Sequence, residues 1–251
     1  MKIAVAGATG AVGHHVVDVA RERGHDVVPL SRSSGVDLTV GDGLAEALED
    51  VDVVIDVSST STQSGTRSRR FFGTVTSNLL TAERAAGVNH HIALSIVGSN
   101  SAPFGYYAGK ALQEELVSAG RVPWTILRAT QFHEFAEQIY GQIALGPVHL
   151  VPKMISQPVA AREVAERLVD LAQRPAAGRS RDLAGPQVLR MAALVRHYAK
   201  ALHRGGTIIE VPLPGGFGKA LRDGSLTAEP GAELGRQTFD SWLRERAQSR
   251  N

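Results

Sequence analysis

Gly7, Ala8, Thr9, Gly10, Ala11, Val12 and Gly13 form a G-x-x-G-x-x-G run that could do chemistry. It follows an apolar stretch, residues 2–6, and opens a stretch, 12–20, whose apolar residues recur at helical spacing until Gly24. In a strand–turn–helix context this pattern is built for a pyrophosphate. Gly7 turns the chain, Gly10 lets the backbone approach the anion at the free N–H groups of the helix, and Gly13 lets helix and strand pack closely. Thr9, Ala11 and Val12 complete that cradle. A second signal stands where the next apolar run, 26–30, ends. An acidic residue there would hold adenosine ribose hydroxyls and repel a 2′-phosphate, but this chain has Ser31-Arg32-Ser33. A guanidinium between two hydroxyls suits a 2′-phosphate through charge-assisted hydrogen bonds, so the expected cofactor is NADP(H), with NAD(H) less favoured.

The elements that must position these residues alternate. Val/Ile-rich runs at 26–30, 51–57, 92–97 and 124–127 read as buried parallel strands, and 72–86, 110–118 and 162–172 carry helical periodicity. The segment 33–43 is short, with a truncated strand at most. Repeated βαβ units imply an α/β fold of Rossmann type, a doubly wound parallel sheet. From about Gly141 the chain is richer in Pro and Gly, with short helical stretches at 192–202 and 239–246. The expectation is a single domain over 1–251: a dinucleotide-binding core from 1–140 and about 155–190, and a small C-terminal substrate lobe from about 141–154 and 191–251.

Composition narrows the chemistry. The 251 residues are 43% apolar and include no cysteine, which removes thiolate metal sites, disulfide scaffolds and cysteine nucleophiles and makes cytoplasm the expected location. No apolar run approaches a membrane span of about 18 residues, and no signal-peptide core follows Lys2. The net charge of +2 lacks the dense basic stripe that nucleic acid requires. Thr66-Arg67-Ser68-Arg69-Arg70 reads as a solvated basic loop. His14-His15 and His90-His91 are adjacent pairs whose rings diverge, with no carboxylate spacing beside them, so no metal site is expected. Ala93 stands where G-x-S-x-G would need its first glycine, which removes a nucleophile elbow at Ser95. Phe104, Phe132, His133, Phe135, Phe217, Phe239 and Trp242 could line an apolar mouth or be core.

Beyond the glycine turn, the chain carries Leu94-Ser95-Ile96-Val97-Gly98 at the end of a strand and Tyr106-Tyr107-Ala108-Gly109-Lys110 at the start of a helix. It also carries Trp124 to Thr130 (WTILRAT) and Gln157-Pro158-Val159 ahead of a helix. With these the sequence resembles the atypical short-chain dehydrogenase/reductases, in particular the NmrA-like NAD(P)-binding group. The resemblance spans most of the chain and is loose beyond about residue 190. It implies Tyr106 as the proton donor to a carbonyl or base to an alcohol. Lys110, on the same helix face, would bind the nicotinamide ribose and lower the phenol's pKa. Ser95 would orient the substrate oxygen, with Ser99 as the other choice. Asp37-Leu38 is similar to the acidic-apolar pair at the adenine, with Asp42 as rival; the resemblance implies that the backbone at Val57-Ser58-Ser59 passes the adenosine ribose and the backbone at Thr130-Gln131-Phe132 the nicotinamide.

The expected activity is an NADP(H)-dependent oxidoreductase moving hydride to or from a small carbonyl, quinone or alcohol. The partner is a small-molecule substrate rather than nucleic acid or membrane, with the oligomeric state left open. Two rivals remain: a non-catalytic NADP(H)-sensing regulator, and a nucleotide-sugar epimerase. The epimerase is disfavoured because only about 60 to 80 residues are left for a sugar-nucleotide lobe.

Overall fold

The computed structural model describes residues 1–248. The chain divides into two compact units, Met1–Arg128 with Ala161–Arg181, and Ala129–Ala160 with the chain from Asp182 onward.

In the first unit β1 (Lys2–Ala6) leads through the glycine turn to α1 (Gly13–Glu22) and then β2 (Asp26–Leu30). A short helix α2 (Leu44–Ala47) precedes β3 (Val53–Asp56), α3 (Gly65–Ala86), β4 (His90–Ile96), α4 (Tyr106–Ala119) and β5 (Trp124–Ala129). The strand order is β2-β1-β3-β4-β5, and β2, β1, β3 and β4 are parallel, with Ala6 facing Leu30 and Asp56, and Asp56 facing Ala93. The carboxyl ends of β2, β1 and β3 therefore finish level, and β4 runs on to Ile96. The order reverses between β1 and its neighbours β2 and β3, which opens the crevice where open α/β sheets bind ligands. α1 packs on the helix Ala161–Ala172, tied by Arg162–Glu22 at 2.6 Å and Arg23–Asp170 at 2.7 Å, and α3 packs along α4. Ile3, Val5, Val54, Ile55 and Ile92 are fully buried, as strands covered on both faces must be.

Two expectations change. No strand forms between Leu30 and Val53 among the described residues: Gly35, Gly41 and Gly43 take φ of +82°, +91° and +74°, and the chain turns instead of extending. The basic stretch from Thr66 to Arg70 is the first part of α3 rather than a loop. Ser64 caps that helix, accepting from Arg67 N, and buried Ser68 and Phe72 fix its inner face.

In the second unit Val148–Pro152 pairs parallel with Thr207–Val211 and antiparallel with Ala144–Leu145. The helices Phe135–Gln142, Met191–Ala201, Gly215–Arg222 and Phe239–Gln248 complete it. Its core includes Val151, Val195, Tyr198 and Phe239. His133 lies buried beside Phe239 and Trp242, with ring centroids 5.7 and 5.6 Å away, so these aromatics are core rather than the rim of a mouth.

Candidate functional site

The glycine turn is locked by its own geometry. Gly7 has φ +81°, and a Cβ on it would lie 2.9 Å from Ser58 Cα; a Cβ on Gly13 would lie 2.0 Å from Gly7 O. Gly10 N donates to Gly7 O at 2.9 Å, and Gly7 N to Leu30 O at 3.2 Å. Thr9, Gly10 and Ala11 are exposed, and α1 begins after the apolar Val12 with no side-chain cap. An uncapped, solvent-facing helix start beside glycines that admit no side chain fits a pyrophosphate, whose oxygens would take the free N–H groups.

Around the turn, Ser31 opens a short 3₁₀ segment, Arg32–Ser34, and its hydroxyl bonds those of Ser33 (2.9 Å) and Ser34 (3.2 Å). Arg32 is exposed. The Asp37 carboxylate accepts from Thr39 N (2.8 Å) and Thr39 Oγ1 (2.6 Å), and these bonds hold its pKa below the ordinary value. Asp37 N also donates to Asp42 O, while Leu38 packs on the core beneath β2. After β3, Val57 and Ser58 are buried and Ser59 is exposed; Ser58 N donates to Asp56 Oδ1 at 2.8 Å. In the second unit Thr130 is buried, its hydroxyl donating to Gln157 O at 2.5 Å, and Phe132 is half-buried and bridges to Val159.

Tyr106 and Lys110 share one face of α4's first turns. Tyr106 Oη shares a 3.1 Å hydrogen bond with Ser59 Oγ, its backbone carbonyl accepts from Ser68 Oγ at 2.8 Å, and its ring meets Phe72 edge-on. Burial pushes the phenol up to about 12; the Ser59 bond pulls the other way, and the Asp56 carboxylate adds to the rise. That corrects the expectation of a phenol lowered by Lys110. The ammonium is itself engaged: Lys110 Nζ donates to Leu94 O (2.5 Å) and Gln113 Oε1 and lies 4.5 Å over the Phe72 ring. Burial lowers Lys110 to about 8 against the opposing pull of Asp56 and Glu114. Gln113 Nε2 in turn donates to Asp56 Oδ2 at 2.7 Å. Gly109, between the pair, has no room for a side chain, since a Cβ would lie 2.2 Å from Ser68 Oγ.

Ser95 and Ser99 turn to one carboxylate. Ser95 Oγ donates to Glu114 Oε1 at 2.5 Å and Ser99 Oγ to the same atom at 2.9 Å. Arg128 grips Glu114 in a fork (2.8 and 2.7 Å) and Arg179 adds a third charged bond at 2.6 Å. Burial alone would raise the Glu114 pKa, but these donors hold it below the usual value. Asp56, Gln113 and Glu114 were not foreseen. The available signals were a carboxylate inside the apolar run 51–57 and two polar residues three and four positions after Lys110, hence on its helix face. Nearby, buried Glu83 and His91 pair at 2.8 Å.

A parallel sheet with a glycine cradle at its crevice defines a dinucleotide-binding α/β protein of Rossmann type. The sequence model of the NAD(P)H-binding family matches residues 7–175, and the chain belongs to that family. It is 28% identical, over 160 residues, to the photosystem II assembly factor Ycf39 of Synechocystis sp., a stretch covering 58% of this chain and 48% of that protein. The chain therefore matches about half the length of that curated relative.

Among solved structures it is similar to a short-chain dehydrogenase/reductase superfamily protein from Agrobacterium tumefaciens with bound NAD. That match has a TM-score of 0.70 and 21% identity and covers 100% of this chain and 97% of that one. It is also similar to a UDP-N-acetylglucosamine 4-epimerase from Bacillus cereus, with a TM-score of 0.68 and 18% identity over 100% and 99% of the chains. At such identities the likeness shows the fold.

Proposed function

We propose that the protein binds NADP(H) along the carboxyl ends of β1, β2 and β3 and reduces a small carbonyl or quinone, with Tyr106 delivering the proton. One observation carries the reading: Ser58 packs its backbone on Gly7 while the adjacent Ser59 bonds Tyr106 Oη, so the dinucleotide cradle and the phenol sit one residue apart. When bound, the reduced nicotinamide supplies hydride. Gly7, Thr9, Gly10, Ala11, Val12 and Gly13 hold the pyrophosphate; Ser31, Arg32 and Ser33 take the 2′-phosphate; Asp37 and Leu38 flank the adenine. Burial keeps the Tyr106 phenol protonated at neutral pH, so it enters the reaction with a proton to give. We place the chain with the NmrA-like proteins on the residues quoted above, with segments 141–154 and 191–251 as its substrate-binding part. The absence of cysteine suits a reducing cytoplasm.

The test is titration with NADPH and NADH by tryptophan quenching, then a panel of quinones and aldehydes followed through the near-ultraviolet absorbance of the reduced nicotinamide. NADPH should bind tighter than NADH, and Tyr106→Phe should lose about 10²- to 10⁴-fold in kcat with NADPH affinity kept. Full turnover in that variant removes Tyr106 from the chemistry, and no binding of either dinucleotide overturns the cradle.

A second reading has its own support. Lys110 is committed to Leu94 O, Gln113 and Phe72, and Ser95 to Glu114, an arrangement suited to a protein that binds the dinucleotide without turning it over. Tight NADPH binding with no panel member reduced selects that reading.

A further inference from the structure

A proton donor must be recharged after each turnover, and the surroundings of Tyr106 offer few routes. Lys110 directs its ammonium to Leu94 O, Gln113 Oε1 and the Phe72 ring. The hydroxyls of Ser95 and Ser99 point their protons at Glu114. Among the described residues, the hydrogen bond at Tyr106 Oη is the one to Ser59 Oγ, 3.1 Å away. Tyr106 is half-buried, while Ser59 is exposed. The bond therefore joins a partly desolvated phenol to a hydroxyl in contact with water.

Both ends of it are fixed through the backbone. Ser58 is held by Asp56 Oδ1 and by contact with Gly7, which sets the direction of the next residue; Tyr106 is held by Ser68 Oγ on its carbonyl. Of the influences on the phenol, the Ser59 bond is the one that lowers its pKa against burial and Asp56. A neighbour that stabilises phenolate is what a donor needs at the moment its proton leaves.

We propose that Ser59 is the catalytic hydroxyl of this site, relaying protons from solvent to Tyr106 in the place the resemblance gives to Ser95. The inference rests on the reductase reading. As the substrate carbonyl carbon gains hydride, the Tyr106 O–H bond breaks and its proton joins the substrate oxygen, giving the alcohol. The Ser59 proton then crosses to the phenolate oxygen while a solvent proton arrives at the Ser59 oxygen in the same shift, so no free alkoxide forms. Each carbonyl reduced consumes one hydride from the reduced nicotinamide and one proton from water.

The experiment compares Ser59→Ala, Ser59→Thr and Ser95→Ala with the wild type for NADPH affinity, kcat, its solvent deuterium dependence, and rescue by added imidazolium. Ser59→Ala should lose about 10-fold or more in kcat, NADPH affinity should stay within about 2-fold, imidazolium should restore part of the rate, and Ser59→Thr should retain most of it. A plot of wild-type rate against deuterium fraction should bow, as for two protons in flight, and straighten in Ser59→Ala. Unchanged kcat in Ser59→Ala, a loss that follows NADPH affinity, or a larger kcat loss in Ser95→Ala overturns the relay. A wild type that binds NADPH yet reduces no carbonyl overturns the relay together with the reductase reading, and does so before any variant is made.

Discussion

Glu114→Gln tests whether the buried carboxylate holds the wall of the site together. Glu114 is 4% exposed and accepts five hydrogen bonds, from Ser95, Ser99, twice from Arg128 and from Arg179. A glutamine keeps the shape and one acceptor but sets an NH₂ against the Arg128 guanidinium, whose side chain is 13% exposed. Removing one partner of a buried ion pair costs about 3–5 kcal/mol. The Arg179 side chain is 44% exposed, so solvent screens its share and the lower end, about 3 kcal/mol, applies.

The assay is urea unfolding in a Trp242→Phe background. That leaves Trp124, packed on Ala93, Val117 and Ile126, as reporter of this region. At slopes of about 2–3 kcal/mol per M, the midpoint should fall by roughly 1 M at pH 7. The folded pKa of Glu114 lies below its ordinary 4.5, so its contribution is complete above 4.5 and disappears as pH falls through the folded value. The gap between wild type and variant should close over that window. Midpoints that coincide at pH 7, or a gap that ignores acidification, would refute the reasoning.

Gly13→Ala should cost about 3 kcal/mol and weaken NADPH at least about 10-fold, because its Cβ would meet Gly7 O at 2.0 Å. Gly24→Ala, with open space at φ +76°, should cost roughly 1 kcal/mol and leave affinity alone; thermal melts and titrations that rank the two alike sink the cradle argument. Arg32→Ala should weaken NADPH about 10- to 100-fold, the value of a charge-assisted bond, and NADH by no more than about 3-fold; equal losses mean Arg32 does not read the phosphate. At His91 burial alone lowers the pKa, but the charge and hydrogen bond of Glu83 lift it above 6.5. The pair therefore stabilises the fold below 6.5 and loses that contribution as pH rises through the folded value. Glu83→Gln should drop His91 below 6.5 by NMR titration, and an unmoved imidazole contradicts the pairing.

What the sequence made legible were features encoded within a few residues. The glycine turn, the alternating strands and the helical register of Tyr106 and Lys110 each depend on local spacing. The start of α3 was missed because charged residues at 67, 69 and 70 look like a loop until Ser64 and the inward Ser68 and Phe72 are placed. The polar inner face of α4 was missed for another reason. Glu114 meets Arg179, 65 residues away, and Gln113 meets Asp56, 57 away, and no spacing rule connects such partners. The same distant contacts gave Lys110 and Ser95 surroundings that the family pattern did not foretell.

The crowding at Gly109 bears on how this protein could be altered by selection. Any side chain there would collide with Ser68 and Phe72, so random substitution at that position should yield almost only dead clones, with neutral drift blocked along this stretch of α4. Ser101 and Pro103, just ahead of the helix, are exposed. A library that leaves the helix pair untouched and diversifies those two positions should return a far higher fraction of folded variants.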